Sequence, residues 1–213
     1  MRPLIFDCDG VLVDSEYWSC SSWLPVLQRR HIETDLATIE TFKGLSDQAI
    51  LDHFDLTSTP ELIAEREEEY FRLARQHLQT FPGLRQLLQH LHGLETPMGV
   101  ASSGSRPKID FSLNHVGLGP FLPLRCSSTQ VPRGKPAPDL FLYTAQGLGV
   151  EPAQCAVVED SIPGIEAARS AGMIALGFTS SFPAATLHQA GAHHTFAAYG
   201  ELLPLLQSLA PPS

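Results

Sequence analysis

Short apolar runs alternate along the chain with longer stretches whose apolar positions return every three or four residues. The runs predict strands at residues 4–8, 98–102, 124–127, 156–159, 174–178 and 194–197. Most neighbouring runs are far enough apart to hold a helix between them, as parallel strands require. The pattern predicts an α/β fold, with a parallel sheet core flanked by helices. The gap between the first two strands is different. It shows helical periodicity at 16–30, 46–54 and 60–78, and then a return helix at 83–92 with Pro82 and Gly83 near its start. This predicts a core of residues 1–14 and 80–213, interrupted by a helical insertion at 15–79, with hinges near 14–15 and 80–83.

Composition narrows the partners. At 213 residues and 43% apolar, the chain can bury a sizeable core. A formal net charge of −9 without a basic cluster argues against nucleic acid or an anionic membrane as partner. No window reaches the roughly 18 uninterrupted apolar residues of a membrane span. The apolar run near the N-terminus is too short for a secretory signal and is cut by Asp7. A cytoplasmic protein is expected. Cys8, Cys20, Cys126 and Cys155 include no C-x-x-C pair and are read as free thiols in a reducing compartment. The acids of "ELIAEREEEY" (61–70) read as a solvated helix face.

The candidate chemistry sits at the strand ends. The first run leads into "FDCDGVLVDSE", where Asp7 and Asp9 precede Gly10. Asp and Gly also favour turns. A bend at Gly10 could equally bring both acids to the C-terminal edge of the sheet, where α/β folds bind ligands. The fourth run ends on Glu159 and Asp160, followed by Ser161 as a helix cap and Pro163 in the first turn. Adjacent strand ends would gather four carboxyl groups, a hard-oxygen set suited to Mg²⁺. Lys135 in "GKPAPDLF" could be a solvated charge, or could offset these acids and hold a phosphate oxygen. "VASSGS" offers Ser102 and Ser103 before a helix; it is a commonplace turn or a phosphate cradle. His193 and His194 lack acidic or thiol companions and read as packing or surface residues.

Taken in order, "DCDGVLVDSE", "VASSGS", "RGKPAPDLF" and "VVEDSIPGIEAARSAG" resemble the four motifs of the haloacid dehalogenase-like (HAD) superfamily. Within it, the chain is most similar to the β-phosphoglucomutase-like and phosphoglycolate phosphatase-like branch. The resemblance implies a Rossmann-like core with an inserted α-helical cap. It also implies a Mg²⁺-dependent phosphomonoesterase for a small sugar or polyol phosphate, working as a monomer. Asp7 would be the nucleophile and Asp9 the general acid and base. Ser102 and Ser103 would bind the phosphoryl group, and Lys135 would offset charge. Asp7, the Asp9 carbonyl, Asp160 and Glu159 would hold or flank the metal. Asp9 argues against a dehalogenase, because a halide leaves without a proton.

In the cap, "FKGLSDQAI" supplies Lys43 and Gly44 of a substrate loop, and Arg72 falls near a substrate lysine of the mutases. The mutases carry an Arg just after the loop serine where this chain has Asp47, which would repel a second phosphate. They carry a His where this chain has Ser19. A β-phosphoglucomutase-like isomerase is therefore the alternative to a hydrolase. A silent phosphate-binding module would lack turnover, yet none of the motif residues is missing.

Overall fold

The computed structural model describes residues 1–209. The six strands are β1 (Leu4–Phe6), β2 (Met98–Ser102), β3 (Leu124–Ser127), β4 (Ala156–Glu159), β5 (Ile174–Phe178) and β6 (His194–Phe196). They form one sheet in the order β3-β2-β1-β4-β5-β6. Every pairing is parallel. The chain builds outward from β1 in both directions, so the break in strand order falls beside β1, where ligands bind in such sheets.

Alternation along each strand divides the sheet into two faces. Leu4 and Phe6 pack with Val100, Val158 and Leu176 in one apolar cluster. Ile5 packs with Ala101, Val157 and Ala175 in the other. The first face is covered by α6 (Leu84–Gly93), α7 (Arg106–His115) and α11 (Tyr199–Ser208). The second is covered by α8 (Asp139–Leu148), α9 (Ile162–Ser170) and α10 (Ala184–Gln189).

Two strands end earlier than the apolar pattern predicts. β1 stops at Phe6 because the chain folds back at Gly10, with the Leu12 and Val13 amides both donating to the Cys8 carbonyl. Cys8 and Val11 to Val13 are buried in that turn, which is why the run looked longer. β6 ends at Phe196, whose carbonyl accepts from the Thr179 amide.

Between β1 and α6 lie five helices: α1 (Glu16–Ser21), α2 (Trp23–Gln28), α3 (Leu36–Glu40), α4 (Asp47–His53) and α5 (Pro60–His77). The helix expected over 16–30 is two. Pro25 has no N–H to return to the preceding turn, and the Ser22 hydroxyl bonds the Ser19 carbonyl instead. α3 was not expected; its five residues follow Asp35, whose carboxylate accepts from the Thr38 amide at 2.9 Å. α5 begins with Thr59 as cap and Pro60 in its first turn.

A third apolar cluster, around Trp23, Leu27, Ile39 and Leu51, holds these helices to one another. α5 serves two clusters. Its Leu62 packs in the third, while Tyr70 and Ala74, with Leu78 just beyond the helix, pack against the sheet. The chain's two crossings at the base of the insertion are tied together. The Asp14 amide donates to the Gln79 carbonyl at 2.9 Å, and the Thr80 hydroxyl to the Leu12 carbonyl at 2.9 Å. No helix among the described residues is long and apolar enough to cross a membrane.

Candidate active site

The strand order sets the site. β2, β1 and β4 are neighbours, so Ser102, Asp7 and the Glu159–Asp160 pair arrive at one edge of the sheet. Lys135 enters from the loop before α8. Its ammonium lies 2.5 Å from Asp7 Oδ1, 2.6 Å from Glu159 Oε1 and 3.1 Å from the Ala101 carbonyl. All three donors of the ammonium are used, and the side chain is almost wholly buried.

Electrostatics at this edge is under tension. Burial pushes the Asp7 carboxyl up to about 8; Lys135 opposes the rise, and the charges of Glu159 and Asp9 add to it. Burial likewise drives Asp160 well above the usual carboxylate range, helped by Glu16, Glu159 and Asp7. Burial would lower Lys135, but the two carboxylates that it bridges hold it above its ordinary value.

Both oxygens of Glu159 accept hydrogen bonds. Its Oε1 takes Lys135, and its Oε2 accepts the amides of Asp160 and Ser161 and the Ser161 hydroxyl. In this arrangement Glu159 positions Lys135 and the turn into α9, beside the carboxyls of Asp7 and Asp160. Asp160 accepts from Ser181, and Ser180 donates to the Gly10 carbonyl at 2.6 Å. Gly10 has φ +71°, and a Cβ there would lie 2.0 Å from Asp160 Oδ2, so the Asp9–Gly10 turn sits directly on Asp160.

Among the described residues, no group of three or more His, Cys, Asp or Glu side chains is arranged to hold a metal. The donor set implied for Mg²⁺ is smaller: Asp7, Asp160 and the backbone carbonyl of Asp9. Two buried carboxyls whose ionisation is suppressed, one of them on a Lys already shared with Glu159, fit a divalent cation. Mg²⁺ takes few protein ligands and keeps several waters.

Asp9 differs from Asp7. Its carboxylate accepts from the Ser15 hydroxyl at 2.5 Å and from Lys108 at 2.9 Å. Burial alone would raise it, but Lys108 and Ser15 hold it below the ordinary carboxylate value. Ser102 Oγ accepts from the Gly104 amide at 3.1 Å, and Ser103 Oγ faces the Gly44 carbonyl at 3.4 Å.

The insertion closes over this edge. Asp7, Asp9, Ser102, Ser103 and Lys135 from the core line one cavity with Lys43 and Gly44 from the loop before α4. Its free space is about 50 Å³. Gly44 has φ +81°, and a Cβ there would lie 2.4 Å from Ser161 Cβ, so the loop rests on the start of α9. Lys43 pairs with Glu40 at 3.0 Å. Ser105 bonds Glu67 across the same seam.

Arg72 is not at the site. It pairs with Glu69 at 2.9 Å on an exposed face of α5 and does not line the cavity. Besides Lys43 and Lys135, two cations line it that the motifs did not single out, Arg66 and Lys108. Arg66 lay within the stretch read as a solvated face, yet it is buried on the stripe Leu62–Arg66–Tyr70–Ala74. A cation repeating every four residues with apolar neighbours was the available signal. Lys108 shares a buried face of α7 with Ser112 in the same way. His193 and His194 lie away from the cavity, at the start of β6.

Comparison with known proteins now adds to this geometry. The family described as haloacid dehalogenase-like hydrolase matches residues 4–178. The chain belongs to that family. It is 32% identical to validoxylamine A 7'-phosphate phosphatase of Streptomyces hygroscopicus subsp. limoneus, over 89% of this chain and 91% of that one. It is also 32% identical to the β-phosphoglucomutase of Bacillus subtilis, over 86% and 85%. A solved hydrolase from Pseudomonas syringae superposes with a TM-score of 0.85 at 27% identity, covering 99% of this chain and all of that one. The protein is thus a HAD-like phosphatase with a β-phosphoglucomutase-like fold, a Rossmann-like sheet bearing a helical cap.

Proposed function

We propose that this HAD-like phosphatase hydrolyses a small phosphorylated metabolite, a sugar or polyol phosphate, through a phosphoryl group carried on Asp7. The observation that carries the reading is Lys135 bridging Asp7 and Glu159 beside Ser102. It fixes a carboxylate oxygen at the sheet edge next to hydroxyl and amide donors, and phosphoryl transfer needs little more than positioning and charge stabilisation.

In the first step an Asp7 oxygen bonds to phosphorus and the bond to the ester oxygen breaks. Asp9, ionised in the free protein, takes the proton of the bound phosphate monoester and passes it to the departing alkoxide. In the second step Asp9 takes a proton from water, whose oxygen attacks the phosphoryl group; inorganic phosphate leaves and the Asp7 carboxylate returns. Ser102 and the Ser103 amide hold the phosphoryl oxygens, and Lys135 balances their charge. Mg²⁺ held by Asp7, the Asp9 carbonyl and Asp160 would neutralise charge on the transferring group.

A cavity of about 50 Å³ admits a few waters, far less than a sugar phosphate. The cap, residues 15–79 by the sequence boundary, therefore opens for entry and closes to exclude water. Lys43 and Gly44 close over the substrate.

The test is phosphate release from a panel of phosphorylated metabolites, with Mg²⁺ or chelator, for wild type and Asp7→Asn. Release that depends on both supports the reading. Release by Asp7→Asn at the wild-type rate would sink it. The mutase reading is favoured by Lys43 and Gly44 at the cavity and by the B. subtilis relative. It requires glucose 6-phosphate from β-glucose 1-phosphate with a bisphosphate primer, and inorganic phosphate alone excludes it.

A further inference from the structure

Two cations meet inside the cavity on the side away from Lys135. Lys108 Nζ and Arg66 Nη2 both donate to one neutral oxygen, the Ser19 hydroxyl, at 3.1 and 2.8 Å. Two like charges held around a shared hydroxyl repel each other, the more so out of bulk water. Lys108 has Asp9 as counter-charge at 2.9 Å. The ion-pair partner of Arg66 among the described residues is Asp47, at 3.4 Å, whose side chain is 34% exposed and so screened by solvent; the buried Asp9 carboxylate also acts on Arg66 through space. Arg66 itself is 2% exposed, and its Nε has no hydrogen-bond partner among the described residues. The guanidinium lies 5.8 Å over the Trp23 ring and 5.7 Å over the Tyr70 ring, which fixes its place. A buried, positioned Arg with an unpartnered Nε beside a Lys is a receptor for an anion.

The cavity also limits which anion. The phosphoryl end is defined by Asp7, Ser102 and Lys135, and Asp9 stands between that end and Lys108. An anion on Lys108 and Arg66 therefore belongs to the leaving-group side of the ester. Little free space and the nearby charges of Asp9 and Asp47 disfavour a second dianion there. A planar carboxylate suits a guanidinium fork.

We propose that Arg66 and Lys108 form a subsite for a carboxylate on the alcohol part of the substrate, so that preferred substrates are phosphorylated hydroxy acids. The inference rests on the phosphatase reading for its turnover assay, though its binding assay does not. Asp47, which stands where the mutases carry an Arg, holds Arg66 in the free protein and yields it to the substrate.

The experiment compares matched pairs that differ only in carboxylate against hydroxymethyl: 6-phosphogluconate with sorbitol 6-phosphate, and 3-phosphoglycerate with glycerol 3-phosphate. Fructose 1,6-bisphosphate against fructose 6-phosphate is the second-phosphate arm. The acid member of each pair is expected to have a kcat/KM about tenfold or more above its partner. Arg66→Gln and Lys108→Gln should each remove most of that ratio, and Arg66→Lys should keep part of it. The ratio, not the rate, is the readout, because Lys108 also contacts Asp9. Calorimetry of the same compounds on Asp7→Asn protein with Mg²⁺ reads binding without turnover, and should show the same preference. Equal treatment of the pair members in both assays would overturn the subsite, as would a preference confined to the bisphosphate. Loss of turnover on every ester, p-nitrophenyl phosphate included, with the acid preference kept in binding, would instead overturn the hydrolase reading alone. If Arg66→Gln fails to fold, Lys108→Gln and Arg66→Lys decide the matter.

Discussion

The ammonium of Lys135 lies 2.5 Å from a carboxylate oxygen of Asp7, although 128 residues separate them in sequence. The same ammonium neutralises Glu159 at 2.6 Å, so one cation serves two buried acids. Lys135→Met leaves both unpaired. It should cost about 3–5 kcal/mol of stability and abolish phosphate release. Lys135→Arg should not restore activity, since a planar fork cannot replace a point charge with three radial donors. Chemical denaturation and phosphate release measure the two effects.

Metal binding should be linked to protons. In the metal-free protein the Asp7 carboxyl is pushed up to about 8 and Asp160 is raised as well, both above their unfolded values. A carboxyl raised on folding loses its favourable contribution as pH climbs from the unfolded value toward 8. Metal-free protein is therefore expected to melt at a lower temperature at pH 9 than at pH 6. Mg²⁺ should narrow that gap, and its binding below pH 8 should release protons. Calorimetry in buffers of different ionisation enthalpy counts them. No proton release at pH 6 would contradict the donor set.

Two glycines should fail in different ways. Gly10→Ala places a Cβ 2.0 Å from Asp160 Oδ2 at a left-handed backbone position. It should lose activity and about 1–2 kcal/mol or more of stability. Gly44→Ala clashes with Ser161 across the seam between cap and core. It should leave the melting of the core nearly unchanged while lowering kcat/KM, because only the closed arrangement is disturbed. Similar melting temperatures for the two variants would argue against this division.

Tyr70 and Ser112 share a hydrogen bond of 2.8 Å, with both residues fully buried. Tyr70→Phe strands the serine hydroxyl and should cost about 1–3 kcal/mol. Adding Ser112→Ala should recover part of that loss. Additive costs in the double-mutant cycle would show that the bond contributes nothing.

Arg72→Ala is the contrast. Its partner Glu69 also accepts from Arg29, and Arg72 itself is solvent-exposed. Stability should change by less than about 0.5 kcal/mol, and kcat/KM should hold within about twofold. A tenfold fall would return Arg72 to the substrate site.

The sheet was legible because each strand is a short apolar run closed by a turn or a polar pair, and the motif residues at 7, 9, 102, 159 and 160 stand at or just beyond those ends, with Lys135 in the loop before α8. What stayed hidden depends on which way a charged side chain faces. Arg66 and Lys108 are written in the same letters as surface cations, and only the packing of Leu62, Tyr70 and Ala74 turns Arg66 inward. Glu159 looked like a ligand beside Asp160 because sequence places neighbouring acids together. It does not say that Lys135 and the start of α9 occupy both oxygens of one of them. The five-residue α3 was invisible for want of a second turn in which a period could repeat.

α5 is 18 residues long and contributes apolar side chains to two separate clusters. Chimeras between relatives must respect that sharing. A graft that exchanges residues 15–79 as a block also exchanges Tyr70, Ala74 and Leu78, and so repacks the sheet of the recipient. A junction placed between Leu62 and Tyr70 would transplant the lid with its own apolar cluster and leave the host's sheet intact. The natural seam for trading specificities runs through the middle of a helix.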